Sequence, residues 1–200
     1  MNKMEIIYSI IFALNIILVD FVYYKFINKF PIKKWMHFVS IVIPLGCVLF
    51  TRFFTLEFFL FTLILEILLI LAFTDVVFFE IDKRSYWLIL LLSFVKVFAL
   101  TTPDLIFDVA LSPIVVYGAF WVFDKIFGIE KLGGADVKLI LILSFYFNAM
   151  DVFSFIIWIF IISTIIFIFF MIKQRGFRNI QVPMIVSIAI SFFLQRAFFF

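Results

Sequence analysis

Two aspartates in this chain stand where acid–base chemistry could occur. Asp75 closes the apolar run Phe54–Thr74, and Asp136 lies in Leu132-Gly133-Gly134-Ala135-Asp136-Val137-Lys138, at the start of another apolar run. Two carboxylates held close together cannot both ionise, so they share one proton. The ionised member removes a proton from a water while the protonated member donates to the carbonyl oxygen under attack. Such a pair would hydrolyse a peptide bond brought to it, without a metal and without a cofactor. A metal centre is hard to build here in any case, because the chain holds one histidine, His37, and one cysteine, Cys47.

The residues around Asp136 have physics of their own. Glycine tolerates backbone angles closed to other residues, so a helix can start or unwind at Gly133-Gly134. Small residues, Ala135 included, also let helices approach closely in lipid. Asp136 would then sit near a helix N-terminus, where backbone N–H groups and the macrodipole favour its anion. Lys138 leaves that face of the helix, and its ammonium can reach the head groups. Each aspartate also has a plain structural explanation. Asp75 can be a helix-end carboxylate in the head-group region, and Asp136 a helix-start residue that caps.

The elements that must carry these groups are set by composition. Of 200 residues, 67% are apolar and 14% charged, with a mean hydropathy of +1.30. A soluble domain has about 45–50% apolar residues, and a disordered chain combines low hydrophobicity with high net charge. Both are excluded, and the solvent must be lipid. A net charge of +3 with dispersed Lys and Arg does not point to nucleic acid. At roughly 20 residues per crossing, the chain has room for about eight spans. Charge, Pro and Gly divide it into Ile6–Tyr24, Met36–Thr51, Phe54–Thr74, Tyr86–Leu100, Leu105–Phe127, Val137–Met150, Val152–Ile172 and Val182–Phe198. The expected fold is all-α, a polytopic membrane helical bundle over residues 1–200, forming a single membrane-embedded domain. Lys3 followed by an apolar run is similar to a signal peptide, but the run is too long and no cleavage site follows it, so the first span reads as a retained helix.

Basic residues set the orientation. Lys25, Lys29, Lys33, Lys34, Lys83, Arg84, Lys125, Lys131, Lys138, Lys173, Arg175 and Arg178 fall on one side, twelve of the sixteen. Lys3, Arg52, Lys96 and Arg196 fall on the other. The positive-inside rule makes the first side cytoplasmic, which puts both termini outside and both aspartates at cytoplasmic helix ends. The remaining charges read as structural. Glu80, Asp82, Lys83 and Arg84 form a solvated loop, and Asp124, Lys125, Glu130 and Lys131 an interfacial one. Glu66 and Lys96 are expected to pair, and Asp20 and Asp108 to make polar contacts near an interface. His37 beside Lys33 and Lys34 is expected at the head groups, Cys47 as an apolar filler, and Tyr23, Tyr24, Trp35, Tyr86 and Trp87 in an aromatic belt.

Gly133-Gly134-Ala135-Asp136-Val137-Lys138 resembles the second catalytic motif of the type IV prepilin and preflagellin peptidases, intramembrane aspartic peptidases of the GxGD class. Asp75, followed by Glu80-Ile81-Asp82-Lys83-Arg84 and Tyr86-Trp87-Leu88, is similar to the first. The resemblance covers residues 73–144 and departs from the family where Asp82 follows Ile81, in place of a frequent Ile-Pro. It implies that Asp75 and Asp136 are the catalytic aspartates, supported by Gly133, Gly134, Ala135 and Lys138. The implied substrate is a prepilin-like or preflagellin-like membrane protein, whose short basic leader is cut at the cytoplasmic face of the plasma (inner) membrane. The cysteine-rich module of the bifunctional members has no counterpart, so a peptidase without N-methyltransferase activity is implied. A small multi-span transporter with intramembrane carboxylates as ion sites, or a non-enzymatic scaffold of a pilus or secretion assembly, are the competing readings.

Overall fold

A chain surrounded by lipid must satisfy its backbone polar groups internally, which for an apolar run means a helix. The computed structural model describes residues 3–22, 25, 34–50, 55–78, 82–127, 134–174 and 183–199. Among these residues the chain is all-helical: α1 (Lys3–Val22), α2 (Lys34–Phe50), α3 (Leu56–Phe78), α4 (Lys83–Leu100), α5 (Pro103–Phe127), α6 (Gly134–Ser144), α7 (Ala149–Gln174) and α8 (Met184–Phe199). Each overlaps one of the expected apolar segments. Among the described residues, three stretches are long and apolar enough to cross a bilayer, namely Leu56–Phe78 in α3, Leu105–Val122 in α5 and Ala149–Ile172 in α7. They mark the chain as a membrane protein. Trp35–Cys47 and Met184–Ala197 are shorter apolar helices. Helix α6, with 11 residues, is about 16 Å long, roughly half the thickness of a hydrocarbon core.

Local chemistry sets the helix starts. Thr55 Oγ1 accepts the Phe58 N–H at 3.1 Å ahead of α3, an N-cap. Asp82 Oδ1 accepts the Arg84 N–H at 3.0 Å ahead of α4. Pro103 opens α5, where its missing N–H costs nothing. Asn148 Oδ1 accepts the Asp151 N–H at 2.9 Å, so Asn148 caps α7. The chain therefore turns over Phe145–Asn148, and α6 ends at Ser144 rather than at Met150 as the apolar pattern suggested. Two loop expectations are corrected. Asp82 is 5% exposed, because capping α4 turns it away from solvent. Helix α5 runs on to Phe127, which puts Asp124 and Lys125 in its last turns, where a cation complements the dipole.

The helices gather into two compact units, Met1–Leu92 and Ser93–Phe200. In the first, α1, α2 and α3 pack on one another, and α3 is buried along most of its length. Trp35 of α2 meets Phe73 of α3 edge-on at 5.7 Å. In the second, α5 packs on α6 and α7, and α8 on α6 and α7. Tyr146, Phe147, Phe155 and Phe192 form its aromatic core, with Phe147 and Phe155 at 4.9 Å and Tyr146 and Phe192 at 5.3 Å. The turn between α6 and α7 frees carbonyls that lipid could not satisfy. Lys96 Nζ of α4 donates to the Tyr146 carbonyl at 2.5 Å, and Ser112 Oγ of α5 donates to the Phe147 carbonyl at 2.8 Å.

Candidate functional site

Asp75 lies in the last turn of α3 and is 8% exposed. The apolar pattern ended at Thr74, but no Gly or Pro follows, and the helix continues through Val76, Val77 and Phe78. Those three residues are exposed, so Asp75 faces protein while the residues after it face outward. Next to it, the Thr74 hydroxyl donates to the Leu71 carbonyl at 2.8 Å and is thereby satisfied within its own helix.

Asp136 occupies the first turn of α6 and is half-buried, with Gly134, Ala135 and Lys138 exposed around it. An acidic group in a first turn meets the unpaired N–H groups and the positive end of the dipole. The exposure of Lys138 fits an ammonium directed away from the protein. A Cβ added at Gly134 would meet no atom within 4 Å. Close helix approach, one of the two roles expected of this glycine, is therefore not what Gly134 provides among the described residues. Asp75 belongs to the first unit and Asp136 to the second. Gly133 lies outside the described residues, as do Tyr23, Tyr24, Lys29, Lys33, Arg52, Glu80, Glu130, Lys131, Arg175 and Arg178.

A second contact between ionisable side chains lies within the first unit. His37 Nδ1 of α2 stands 3.3 Å from both Asp20 Oδ1 and Asp20 Oδ2 of α1. The Ser40 hydroxyl lies 3.2 Å from Asp20 Oδ1 and 2.8 Å from the His37 carbonyl, so its one hydrogen is divided between two acceptors. Asp20 is 8% exposed. His37 is therefore an internal partner of Asp20 rather than a head-group contact, which corrects the expectation for it. Glu66, midway along α3, is fully buried. Neither of its oxygens has a hydrogen-bond partner among the described residues. The expected pairing of Glu66 with Lys96 gives way to the bond from Lys96 to the Tyr146 carbonyl, with the same ammonium 4.5 Å from the Tyr146 ring centroid.

Sequence reasoning missed the contacts of Asp20 with His37 and Ser40 because they join two helices and share no periodic spacing. The signal that could have found them was burial cost, since an ionisable residue inside an apolar run is by default part of a site. Among the described residues, no three His, Cys, Asp or Glu side chains come together as a metal site.

Comparison with protein-family models, with curated proteins and with solved structures finds no match. The functional reading rests on the chain's own residues.

Proposed function

We propose that this chain is a membrane aspartic endopeptidase of the prepilin and preflagellin type, with Asp75 and Asp136 as its catalytic pair. One observation carries the reading. A buried aspartate ends a membrane-length helix, and a second follows Gly-Gly-Ala in the first turn of a short helix, in the order of the family's two motifs. In this reading the eight helices all belong to the membrane domain, and the excess of basic residues on one side favours the cytoplasmic face for both aspartates.

The chemistry follows from a shared proton. Two carboxylates at one site hold a single hydrogen between them. The ionised one takes a proton from water as that water attacks the scissile carbonyl. The protonated one donates to the carbonyl oxygen, and the tetrahedral intermediate collapses with proton return to the leaving amine. The space at the Cβ position of Gly134, two residues before Asp136, supports an approach of the leader peptide from that side. The substrate is a small membrane protein with a short basic leader ahead of an apolar helix, and no nucleic acid takes part.

The test is leader removal, followed by gel shift, in membranes holding the protein and a prepilin-like substrate. Asp75→Asn and Asp136→Asn each keep the side-chain volume and remove the acid–base group. Each is expected to lower the cleavage rate by at least about 10²-fold while the protein still inserts. Normal processing by either variant would remove that residue from the mechanism. Loss of neither cleavage nor assembly in both variants would leave the scaffold reading in its place.

A further inference from the structure

We propose that Ser187, Ser191 and Gln195 of α8 form a water-binding seam inside the second unit. The three residues stand four apart in the chain, on successive turns of one helix face. Ser187 and Ser191 are fully buried, and Gln195 is 1% exposed. Helix α8 packs on α7 and α6. Gln195 ties the polar row to α7, because its Oε1 lies 2.9 Å from the Ser154 hydroxyl. Ile188 and Phe192, each next to one of the serines, are fully buried as well, so the row is kept from lipid.

Small polar residues on a helix face serve close packing as readily as they serve a ligand. The state of their polar atoms separates the two roles. Several hydroxyls in this protein return to a carbonyl of their own helix, Thr74 to Leu71 at 2.8 Å, Ser144 to Leu141 at 2.7 Å and Thr164 to Phe160 at 2.8 Å. Ser187 Oγ and Ser191 Oγ do not, and among the described residues they have no hydrogen-bond partner. Gln195 is held by Ser154 at one end of its amide, while Nε2 at the other end has no partner either. Three such atoms in a dry interior each carry the full cost of desolvation. Water bound between them removes it, since every site offers polar groups on two sides.

The spacing suits water. Four residues of helix rise about 6 Å, and a water bonded to two polar atoms at about 2.8 Å each spans about 5.6 Å. One molecule fits between Ser187 and Ser191, and another between Ser191 and Gln195. Gln195 Nε2 donates to the second water, which donates to Ser191 Oγ. The Ser191 hydroxyl donates to the first water, which donates to Ser187 Oγ. Each water has two partners, and every group in the chain is neutral. No ionisable residue occurs from Val152 to Ile172 of α7 or from Met184 to Gln195 of α8, so a charged ligand would lack a counter-charge. Neither Asp75 nor Asp136 takes part, and the seam stands apart from the proposed catalytic pair.

Radiolytic footprinting tests the proposal, because an X-ray pulse turns bound water into hydroxyl radicals that oxidise the side chains beside it. The full chain in lipid nanodiscs is exposed, and oxidation is mapped by peptide mass. Phe61 and Ile64 of α3, 2% and 0% exposed, are the buried controls of the same residue types. Phe192 and Ile188 are expected to be oxidised several-fold faster than Phe61 and Ile64. Ser187→Ala combined with Ser191→Ala should lower oxidation at both positions several-fold, with helix content unchanged in circular dichroism. Gln195→Leu, made separately, should lower it at Phe192 and spare Ile188. Oxidation of Phe192 and Ile188 at the rate of the controls would overturn the proposal, by showing that the hydroxyls turn back onto their own helix. Rates that neither variant changes would overturn it too, by assigning the radicals to bulk solvent.

Discussion

Helices α3 and α7 are both long and apolar enough to cross a bilayer, yet 72% of the apolar window of α3 is buried within the protein, against 17% of that of α7. The difference lies in what else they carry. The buried residues of α3 include Thr62, Glu66, Thr74 and Asp75. From Val152 to Ile172, α7 has no ionisable residue, and its Thr164 hydroxyl returns to the Phe160 carbonyl of its own helix at 2.8 Å. Ile157, Ile161, Ile165, Ile168 and Ile172 are exposed at spacings of three and four residues, a stripe made for lipid. Hydropathy measures the solvent a helix can stand in. Placement of carboxyl groups tells which helix has protein around it, because such groups are tolerated in the membrane only where lipid is kept away.

This contrast can be broken by experiment. The largest effect is expected from Leu68→Ala in α3, where the side chain is fully buried and its loss leaves a cavity worth about 2–5 kcal/mol. Ile161→Ala on the exposed stripe of α7 should stay within about 0.5 kcal/mol, and equal losses in thermal unfolding of the two variants would end the distinction. Next comes Ile161→Glu, which sets a carboxylate against lipid at a cost of about 2.5–3.5 kcal/mol and should appear as reduced membrane insertion. Insertion at the native level would mean that α7 is covered by protein. Removing the cap of α7 with Asn148→Ala should cost about 1 kcal/mol, seen as a lower unfolding midpoint with unchanged helix content. The smallest change belongs to Gly134→Ala, where open space receives the methyl group. A helical alanine there should shift stability by no more than about 1 kcal/mol in the favourable direction, and a marked loss would show that α6 starts against a close neighbour.

The positions of the helices were legible because Pro, Gly and charge interrupt the apolar runs near where the helices stop. Their ends were less so, and for local reasons. Asn148 reads as a turn residue, but its side chain reaches forward to the Asp151 N–H, so it begins α7 rather than following α6. Val76, Val77 and Phe78 extend α3 past Asp75 because no residue there opposes a helix. Asp75 and Asp136 could be singled out from sequence by their place at the edges of apolar runs and by the glycines before Asp136. The contact of Asp20 with His37 could not, since it depends on how α1 meets α2, and residues seventeen apart leave no mark in any helical or strand period. The destination of Lys96 was hidden for a similar reason, because its acceptor is a backbone carbonyl created by a turn.

The bonds at that turn have a bearing on biogenesis. Lys96 and Ser112 both precede Tyr146 and Phe147 in the chain, and membrane chains are synthesised from the N-terminus. The two donors are thus already made when the ribosome delivers the kinked segment, which need never meet the bilayer interior with bare carbonyls. A circular permutant that sends residues 134–199 into the membrane ahead of α4 and α5 would reverse that schedule, and quality-control proteolysis should claim a larger share of its product.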